Sequence, residues 1–216
     1  DVQPVTPILH VGDYALSSWS MRPFLALRAA GLDFETRLIA LDQPETSGRL
    51  KALTPMATVP VLELDSAVRI PESLAICEWA AERAPALWPS SAGLRALARS
   101  AACAMASGFY ALRRDFPMEL RLAGEPREGA PEAYDDLKRA EALWAWCKAE
   151  ARRLNAPPGD FLFGDWSIAD AFFTPVATRI RSYALPISDD SAAYCAALLA
   201  HPAFLEWEAR AFAPAA

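Results

Sequence analysis

The sequence predicts a two-domain α+β protein, in which a β-α-β-α-β-β-α domain spans residues 1–84 and an all-helical bundle domain spans residues 93–216. Three observations lead to this fold class. Strand and helix patterns alternate through the first domain. That domain ends in a hairpin that runs directly into a helix. A segment rich in Pro, Ser and Gly, about 85–92, then breaks the pattern, and only helical periodicity follows it.

The elements before the hairpin alternate between strand and helix. Ile8-Leu9-His10-Val11 is a short apolar strand, and the apolar spacing from Phe24 to Ala29 indicates a helix that Gly31 ends. Alternation over Phe34 to Ile39 predicts a second strand, so the chain opens with a β-α-β unit suited to parallel pairing. Arg49 to Leu53 is predicted to form a short helix.

The hairpin begins at Val59-Pro60-Val61-Leu62, a β-branched apolar run that predicts a strand. Asp65-Ser66 supplies the turn, and Val68-Arg69-Ile70 is the returning strand. Helical spacing follows from Ser73 to Arg83, with Glu72 directly before it. Because proline donates no hydrogen bond to a sheet, the peptide edge before Pro60 can face a ligand.

The second domain carries long amphipathic patterns. Leu94 to Arg114 predicts one continuous helix, and Glu132 to Asn155 predicts another after a Gly- and Pro-rich loop. Further on, Ser167 and Asp170 stand at the spacing of a capping box before an apolar run. A capping box stabilises the start of a helix, so we assign Asp170 a structural role and not a catalytic one.

Composition argues against several classes of function. A net charge of −6 without a basic patch argues against nucleic acid as a partner, and no apolar run approaches the roughly 20 residues that span a membrane. The four cysteines and two histidines stand far apart, which argues against a metal site or a catalytic triad. Buried thiols and the lack of an export segment predict a cytoplasmic protein.

Two polar groups of residues are candidates for binding. Ser73, at a helix N-terminus, offers a hydroxyl and backbone N–H groups to an anion, and the Glu72 carboxylate beside it offers a partner to an ammonium group. Together they can hold an α-amino acid head group. The turn from the first strand into the first helix carries Ser17, Ser18 and Ser20. On the residues alone, an ordinary helix cap remains open at both places.

The combination resembles the cytosolic glutathione transferase family. Val-Pro, a hairpin and then Glu-Ser-Leu-Ala-Ile-Cys-Glu is similar to that family's glutathione site, and Ser-Ser-Trp-Ser-x-Arg is similar to the turn of its Ser-type classes, such as zeta, tau and phi. The capping box matches the family's helical domain. The resemblance implies that the first domain is thioredoxin-like and that the Val59-Pro60 peptide is cis.

The resemblance also implies roles for individual residues. Ser17 would contact the glutathione sulfur as the catalytic group, while Glu72 and Ser73 would hold the γ-glutamyl amine and carboxylate. The glutathione-binding residues implied are Ser18, Trp19, Gln43, Thr58, Val59, Pro60, Glu72 and Ser73. The sequence departs from the family's pattern in two respects. Thr58 replaces the usual Lys or Gln, and Ser17 and Trp19 occupy positions where redox-active classes carry cysteine. Thiol redox chemistry by the enzyme is therefore disfavoured.

The implied activity is attack of glutathione thiolate on an apolar electrophile, a detoxification reaction with glutathione as co-substrate and no metal. The predicted electrophile pocket contains Met105, Phe109, Tyr110 and Arg113. Two other functions remain open: a zeta-like cis/trans isomerase acting on a small dicarboxylate, and a non-catalytic interaction protein. A cytoplasmic homodimer is expected, because family members are commonly dimers.

Overall fold

The computed structural model of the protein describes residues 6–40, 43–65 and 68–213. Its first part contains four strands, β1 (Ile8–Val11), β2 (Glu35–Leu38), β3 (Val61–Glu63) and β4 (Arg69–Pro71), and three helices, α1 (Ser18–Ala29), α2 (Thr46–Leu53) and α3 (Ser73–Arg83). This order confirms the predicted β-α-β-α-β-β-α arrangement. The predicted turn lies partly outside the described residues, because Ser66 is not among them.

The four strands form one mixed sheet in the order β2-β1-β3-β4. β1 pairs with β2 in parallel, as the opening β-α-β pattern predicts, and β3 runs antiparallel to both β1 and β4. The register sets His10 opposite Val61, and Val61 opposite Pro71. Consequently the chain leaves β1 after Val11, enters β3 from Pro60 and leaves β4 towards Glu72 at one end of the sheet, here called the Val11 end.

After α3 the chain is helical. A 3₁₀ turn at Pro85–Leu87 precedes six helices within the described residues: α4 (Ala92–Ser107), α5 (Tyr110–Asp115), α6 (Pro131–Arg153), α7 (Ile168–Tyr183), α8 (Asp189–Leu199) and α9 (Pro202–Ala211). The all-helical second part of the predicted fold is therefore confirmed. No helix in the described part of the chain is both long and apolar enough to cross a membrane.

The prediction of one continuous helix from Leu94 to Arg114 is wrong. α4 ends at Ser107, and Phe109 takes a left-handed conformation with φ of 55° before α5 begins. Gly108 permits this break, since a Cβ there would lie 2.7 Å from the Ala104 carbonyl oxygen. The start of α5 is then capped from another helix, because the Asp136 carboxylate of α6 accepts the Leu112 N–H at 3.2 Å. Apolar spacing does not show a cap supplied by a distant residue.

α7 lies at the centre of the molecule and is buried along almost its whole length. It packs against α1 of the first part and against α4 and α8 of the second. α9 also crosses to the first part, where the Trp207 indole N–H donates to the Tyr14 carbonyl at 2.8 Å and its ring packs edge-on against Phe24. The two parts of the chain therefore share a continuous core.

Asp170 occupies the first turn of α7 and is fully buried. The predicted capping box with Ser167 is present, and the carboxylate accepts the Ser167 N–H at 2.8 Å. It also accepts the Leu162 N–H at 3.1 Å and the Tyr194 hydroxyl at 2.8 Å. Burial raises the pKa of Asp170 to about 6, and the hydrogen bonds oppose that shift. This carboxylate joins the loop before α7 to α7 and α8.

Replacing Asp170 by Ala should destabilise the fold by at least about 3 kcal/mol, because several buried donors lose their acceptor at once. Chemical denaturation followed by circular dichroism measures the change. Asp165→Ala is the matched control, since Asp165 is exposed and lies in the same loop; its effect should stay within about 0.5 kcal/mol. Equal stability of the two variants would contradict the assigned role of Asp170.

Candidate functional site

The serine turn between β1 and α1 is tightly hydrogen-bonded. Ser17 stands directly before α1, and its N–H donates to the Asp13 carbonyl at 2.8 Å. The hydroxyls of Ser17 and Ser20 lie 2.8 Å apart, and the Ser20 oxygen accepts the Gly12 N–H at 3.1 Å. Ser20 is fully buried, whereas Ser17 keeps 8% of its surface exposed. Of this pair, only Ser17 presents surface to a ligand, and Ser20 fixes its direction.

Ser18 and Trp19 face different neighbours from Ser17. The Ser18 hydroxyl oxygen lies 3.4 Å from Nη2 of Arg179 on α7, so it turns towards the second part of the chain. Trp19 is half-buried, and its carbonyl accepts the Ser73 hydroxyl at 2.7 Å. This last bond joins the first turn of α1 to the first turn of α3.

The peptide between Val59 and Pro60 is cis, as predicted. Pro60 is buried against the sheet, while Val59 is half-buried and Thr58 is exposed. Neither the N–H nor the carbonyl of Val59 is used in a hydrogen bond within the described residues. An extended ligand can therefore pair with this backbone edge at the Val11 end of the sheet.

Glu72 and Ser73 follow β4 at the same end of the sheet. Glu72 has φ of 77° and ψ of 126°, a conformation that strongly favours glycine, and its side chain is exposed. Ser73 is buried as the first residue of α3, an eleven-residue helix whose N-terminus carries a partial positive charge. A carboxylate at this place and an anion-accepting helix start suit a zwitterionic head group.

The remaining predicted residues are placed less uniformly. Gln43 is exposed at the start of a described segment, and its backbone N–H bonds the Thr46 hydroxyl at 3.0 Å. Met105 is fully buried and Phe109 is 4% exposed, so both side chains belong to the core. Tyr110 is 68% exposed and Arg113 is half-buried. The predicted second pocket therefore rests on the last two side chains, and its position stays a prediction.

Three arginines surround Ser18 and Trp19, and we call them the arginine cluster: Arg22 on α1, Arg113 on α5 and Arg179 on α7. The guanidinium carbons of Arg22 and Arg113 lie 4.2 and 5.2 Å from the Trp19 ring centre. Burial and the charges of the other two lower the pKa of Arg22, and burial and Arg113 lower the pKa of Arg179 to about 10. The charges of the three arginines therefore act on one another.

Arg179 was not among the site residues predicted from the sequence. The available signal was an arginine inside the otherwise apolar pattern of α7, where a buried charge requires specific partners. Among the described residues, no group of three or more His, Cys, Asp or Glu side chains is placed to hold a metal ion.

Comparison with known protein families gives a match in the first part of the chain. Residues 16–83 match the family model described as glutathione S-transferase, N-terminal domain. That range includes the serine turn, the cis peptide and the Glu72-Ser73 pair. A search of curated protein sequences found no match.

Solved structures show the same fold along nearly the whole chain. A glutathione transferase homologue from Burkholderia with bound glutathione is 24% identical at a TM-score of 0.65, covering 96% of this chain and 98% of that one. A glutathione transferase from Methylococcus capsulatus is 21% identical at 0.70, covering 95% and 98%. A homologue from Sulfitobacter with bound glutathione is 19% identical at 0.68, covering 97% and 100%. The chain therefore has the fold of glutathione transferases.

The backbone of Glu72 gives a test of the site's geometry. Glu72→Gly should be more stable than Glu72→Ala by about 1 kcal/mol, because glycine adopts the positive φ without the steric cost that any Cβ carries. Both variants remove the same carboxylate, so each controls for the other. Urea denaturation measures the difference, and identical midpoints would mean that residue 72 does not hold this conformation in solution.

Proposed function

We propose that this protein binds glutathione at the Val11 end of the sheet and stabilises its thiol as thiolate for attack on an electrophilic carbon. The observation that carries this proposal is the convergence of three distant motifs. At the Val11 end of the sheet, Ser17 follows β1 and the Val59-Pro60 edge precedes β3. The Glu72-Ser73 pair follows β4 at the same end. The family match over residues 16–83 and two solved structures with bound glutathione support it.

The ligand is proposed to lie extended along this edge. Its cysteinyl unit pairs with the Val59 backbone as an added antiparallel strand. Its γ-glutamyl carboxylate binds the N-terminus of α3 at Ser73, and its amine binds the Glu72 carboxylate. The remaining contacts assigned to it are Ser18, Trp19, Gln43, Thr58 and Pro60. This direction brings the sulfur beside Ser17.

The enzyme's chemical task is to make thiolate available. A thiol of pKa about 8.5 becomes half-ionised near pH 6.5 if the anion gains roughly 2.7 kcal/mol of preferential stabilisation. A charge-assisted hydrogen bond supplies about 1.5–3 kcal/mol, and a helix N-terminus about 0.3–1 kcal/mol. The thiol proton passes to solvent, a sulfur electron pair forms the bond to carbon, and the leaving group departs from that carbon with its bonding electron pair. Ser17 donates a hydrogen bond and needs no base.

Ser20 is proposed to position Ser17 for this role. Hydroxyl hydrogens rotate freely, so the pair can reverse its direction, with Ser20 donating to Ser17 and Ser17 donating to sulfur. The Gly12 N–H donates to the Ser20 oxygen in either arrangement. No heavy atom moves when the direction changes.

The isomerase and the non-catalytic interaction protein share this fold and remain the alternatives. Retention on immobilised glutathione favours either enzyme, whereas no binding at millimolar glutathione favours the non-catalytic protein. The homodimer and the cytoplasmic location also remain predictions, and light scattering of the purified protein tests the dimer.

Ser17→Ala should raise the pKa of bound glutathione by about one to two units and slow turnover near neutral pH by roughly 10–100-fold. Glutathione affinity should change little, because the other contacts hold the peptide. The thiolate absorbance of bound glutathione as a function of pH measures the shift. Ser18→Ala provides the comparison: a shift there together with an unshifted Ser17→Ala would move the role to Ser18. Absence of thiolate below pH 8 in the unchanged protein would end the proposal.

Glu72→Gln should raise the dissociation constant for glutathione about 10-fold, because the amide cannot pair with the ligand's ammonium group as a carboxylate does. Titration calorimetry gives the constant directly. Glu82→Gln, the same change near the far end of α3, is the control and should leave it unchanged. Equal affinities for Glu72→Gln and the unchanged protein would remove Glu72 from the site.

A further inference from the structure

The arginine cluster departs from the way this chain otherwise pairs its cations. Within the described residues, none of its three guanidinium groups forms an ion pair, and the charges that perturb the two buried members include no carboxylate. Elsewhere arginines are routinely paired with acidic side chains, as in Arg28–Glu206, Arg99–Glu78, Arg114–Asp115, Arg139–Asp136, Arg153–Glu150 and Arg181–Glu208. The cluster thus concentrates three positive charges without a counter-charge.

Arg22 is fully buried and incompletely hydrogen-bonded. Its Nε donates to the Phe172 carbonyl at 3.2 Å, and its Nη1 donates to the Ser18 carbonyl at 3.1 Å. Its Nη2 is buried and has no hydrogen-bond partner among the residues that the structure describes. Leaving a charged donor buried and unpaired is costly, so an unpartnered guanidinium nitrogen at full burial indicates an acceptor from outside the chain.

Arg113, on α5, also has a side-chain donor that is not hydrogen-bonded within the described residues. Within the described ranges its Nε is buried without a partner, although the residue as a whole is half-buried. Arg179 adds the third charge: its Nε and Nη1 donate to the carbonyls of Phe116 and Pro175, and its Nη2 lies 3.4 Å from the Ser18 hydroxyl oxygen. Nη2 of Arg22 on α1 and Nε of Arg113 on α5 therefore lack acceptors among the described residues. Both side chains lie beside Trp19.

The position of the arginine cluster indicates that it binds a group of the substrate. Ser18 and Trp19, which the cluster surrounds, directly follow Ser17, beside which the sulfur of glutathione is proposed to lie. Trp19 and Arg113 are half-buried, so part of each residue contacts solvent. Because α1 contributes one arginine and α5 and α7 the others, the site is complete only where the two parts of the chain meet.

We propose that Arg22, Arg113 and Arg179 form a binding site for a carboxylate carried by the electrophilic substrate. Guanidinium groups present planar pairs of N–H donors that match the two oxygens of a carboxylate. The substrate's reactive carbon must reach the sulfur beside Ser17. A carboxylate bound by the arginine cluster therefore fixes the other end of a small substrate molecule. Placing this group on the second substrate rests on the proposed function, whereas carboxylate binding by the cluster does not.

Titration calorimetry with benzoate and its neutral isostere benzamide, without glutathione and at constant ionic strength, tests the site. Benzoate should bind and benzamide should not. Arg113→Gln should weaken benzoate binding at least about 10-fold. Arg114→Gln is the matched control, because Arg114 is the next residue of α5 but pairs with Asp115 at the surface. Equal binding of both ligands, or equal effects of both variants, would overturn the proposal.

Arg113 is the residue to replace first, because its side chain makes no hydrogen bond within the described protein and its loss should leave the fold intact. Arg22→Gln and Arg179→Gln remove bonds to buried carbonyls, so circular dichroism must first show that they fold. A folded Arg22→Gln that bound benzoate normally would also contradict the site.

A kinetic comparison separates this inference from the proposed function. With 4-chloro-3-nitrobenzoate and 1-chloro-2,4-dinitrobenzene, glutathione sulfur bonds to the ring carbon and chloride leaves with the bonding pair. Arg113→Gln should lower kcat/KM for the benzoate at least about 10-fold more than it lowers kcat/KM for the neutral compound, whereas Arg114→Gln should affect the two compounds equally. Equal losses would count against the carboxylate site. If neither compound reacts while benzoate still binds through Arg113, transferase activity fails and the anion site stands.

Discussion

The burial of α7 is the constraint on which the rest of the structure depends. A helix with almost no exposed face must be covered from several directions, and here α1, α4 and α8 cover it. One of these helices belongs to the first part of the chain, so the two parts cannot separate without exposing apolar surface. Each polar group on α7 must also find its partners inside the protein.

Asp170 and Arg179 show two outcomes of that requirement. Asp170 is surrounded by donors from its own loop and from α8. Its hydrogen bonds offset the cost of burying the carboxylate. Arg179 donates hydrogen bonds to two backbone carbonyls but has no counter-charge within the described residues. The first arrangement is complete in itself and serves the fold. The second leaves charge at the boundary between the two parts of the chain, beside the serine turn.

Much of the fold and part of the site followed from local sequence. Val59-Pro60 and Glu72-Ser73 were identifiable because a strand start, a hairpin and a helix start each have characteristic residues within a few positions. The interruption at Gly108 was not, since it depends on Asp136, which is distant in the chain. Arg179 was missed for a related reason, because its significance comes from arginines on α1 and α5 that only the packing around α7 brings near.

The residues of the serine turn also differ in ways that only the folded structure shows. The sequence presents Ser17, Ser18 and Ser20 as three similar hydroxyls, and their differences arise from the geometry of a helix start. Ser17 and Ser20 are three residues apart and share one side of α1, so they bond to each other, while Ser18 turns towards Arg179. Their surroundings therefore distinguish the three serines. Ser17 is a partly exposed donor, Ser20 is its buried support, and Ser18 contacts the second part of the chain.

The break at Gly108 separates α5 from α4, and α5 packs mainly against α6. Its six residues follow a left-handed turn, and a single carboxylate from α6 accepts a backbone N–H at its start. Arg113 and Tyr110 can therefore be exchanged for other side chains while α4 and α7 keep their packing. Such a segment permits its side chains to diverge among descendants of this protein without loss of the packing around α7.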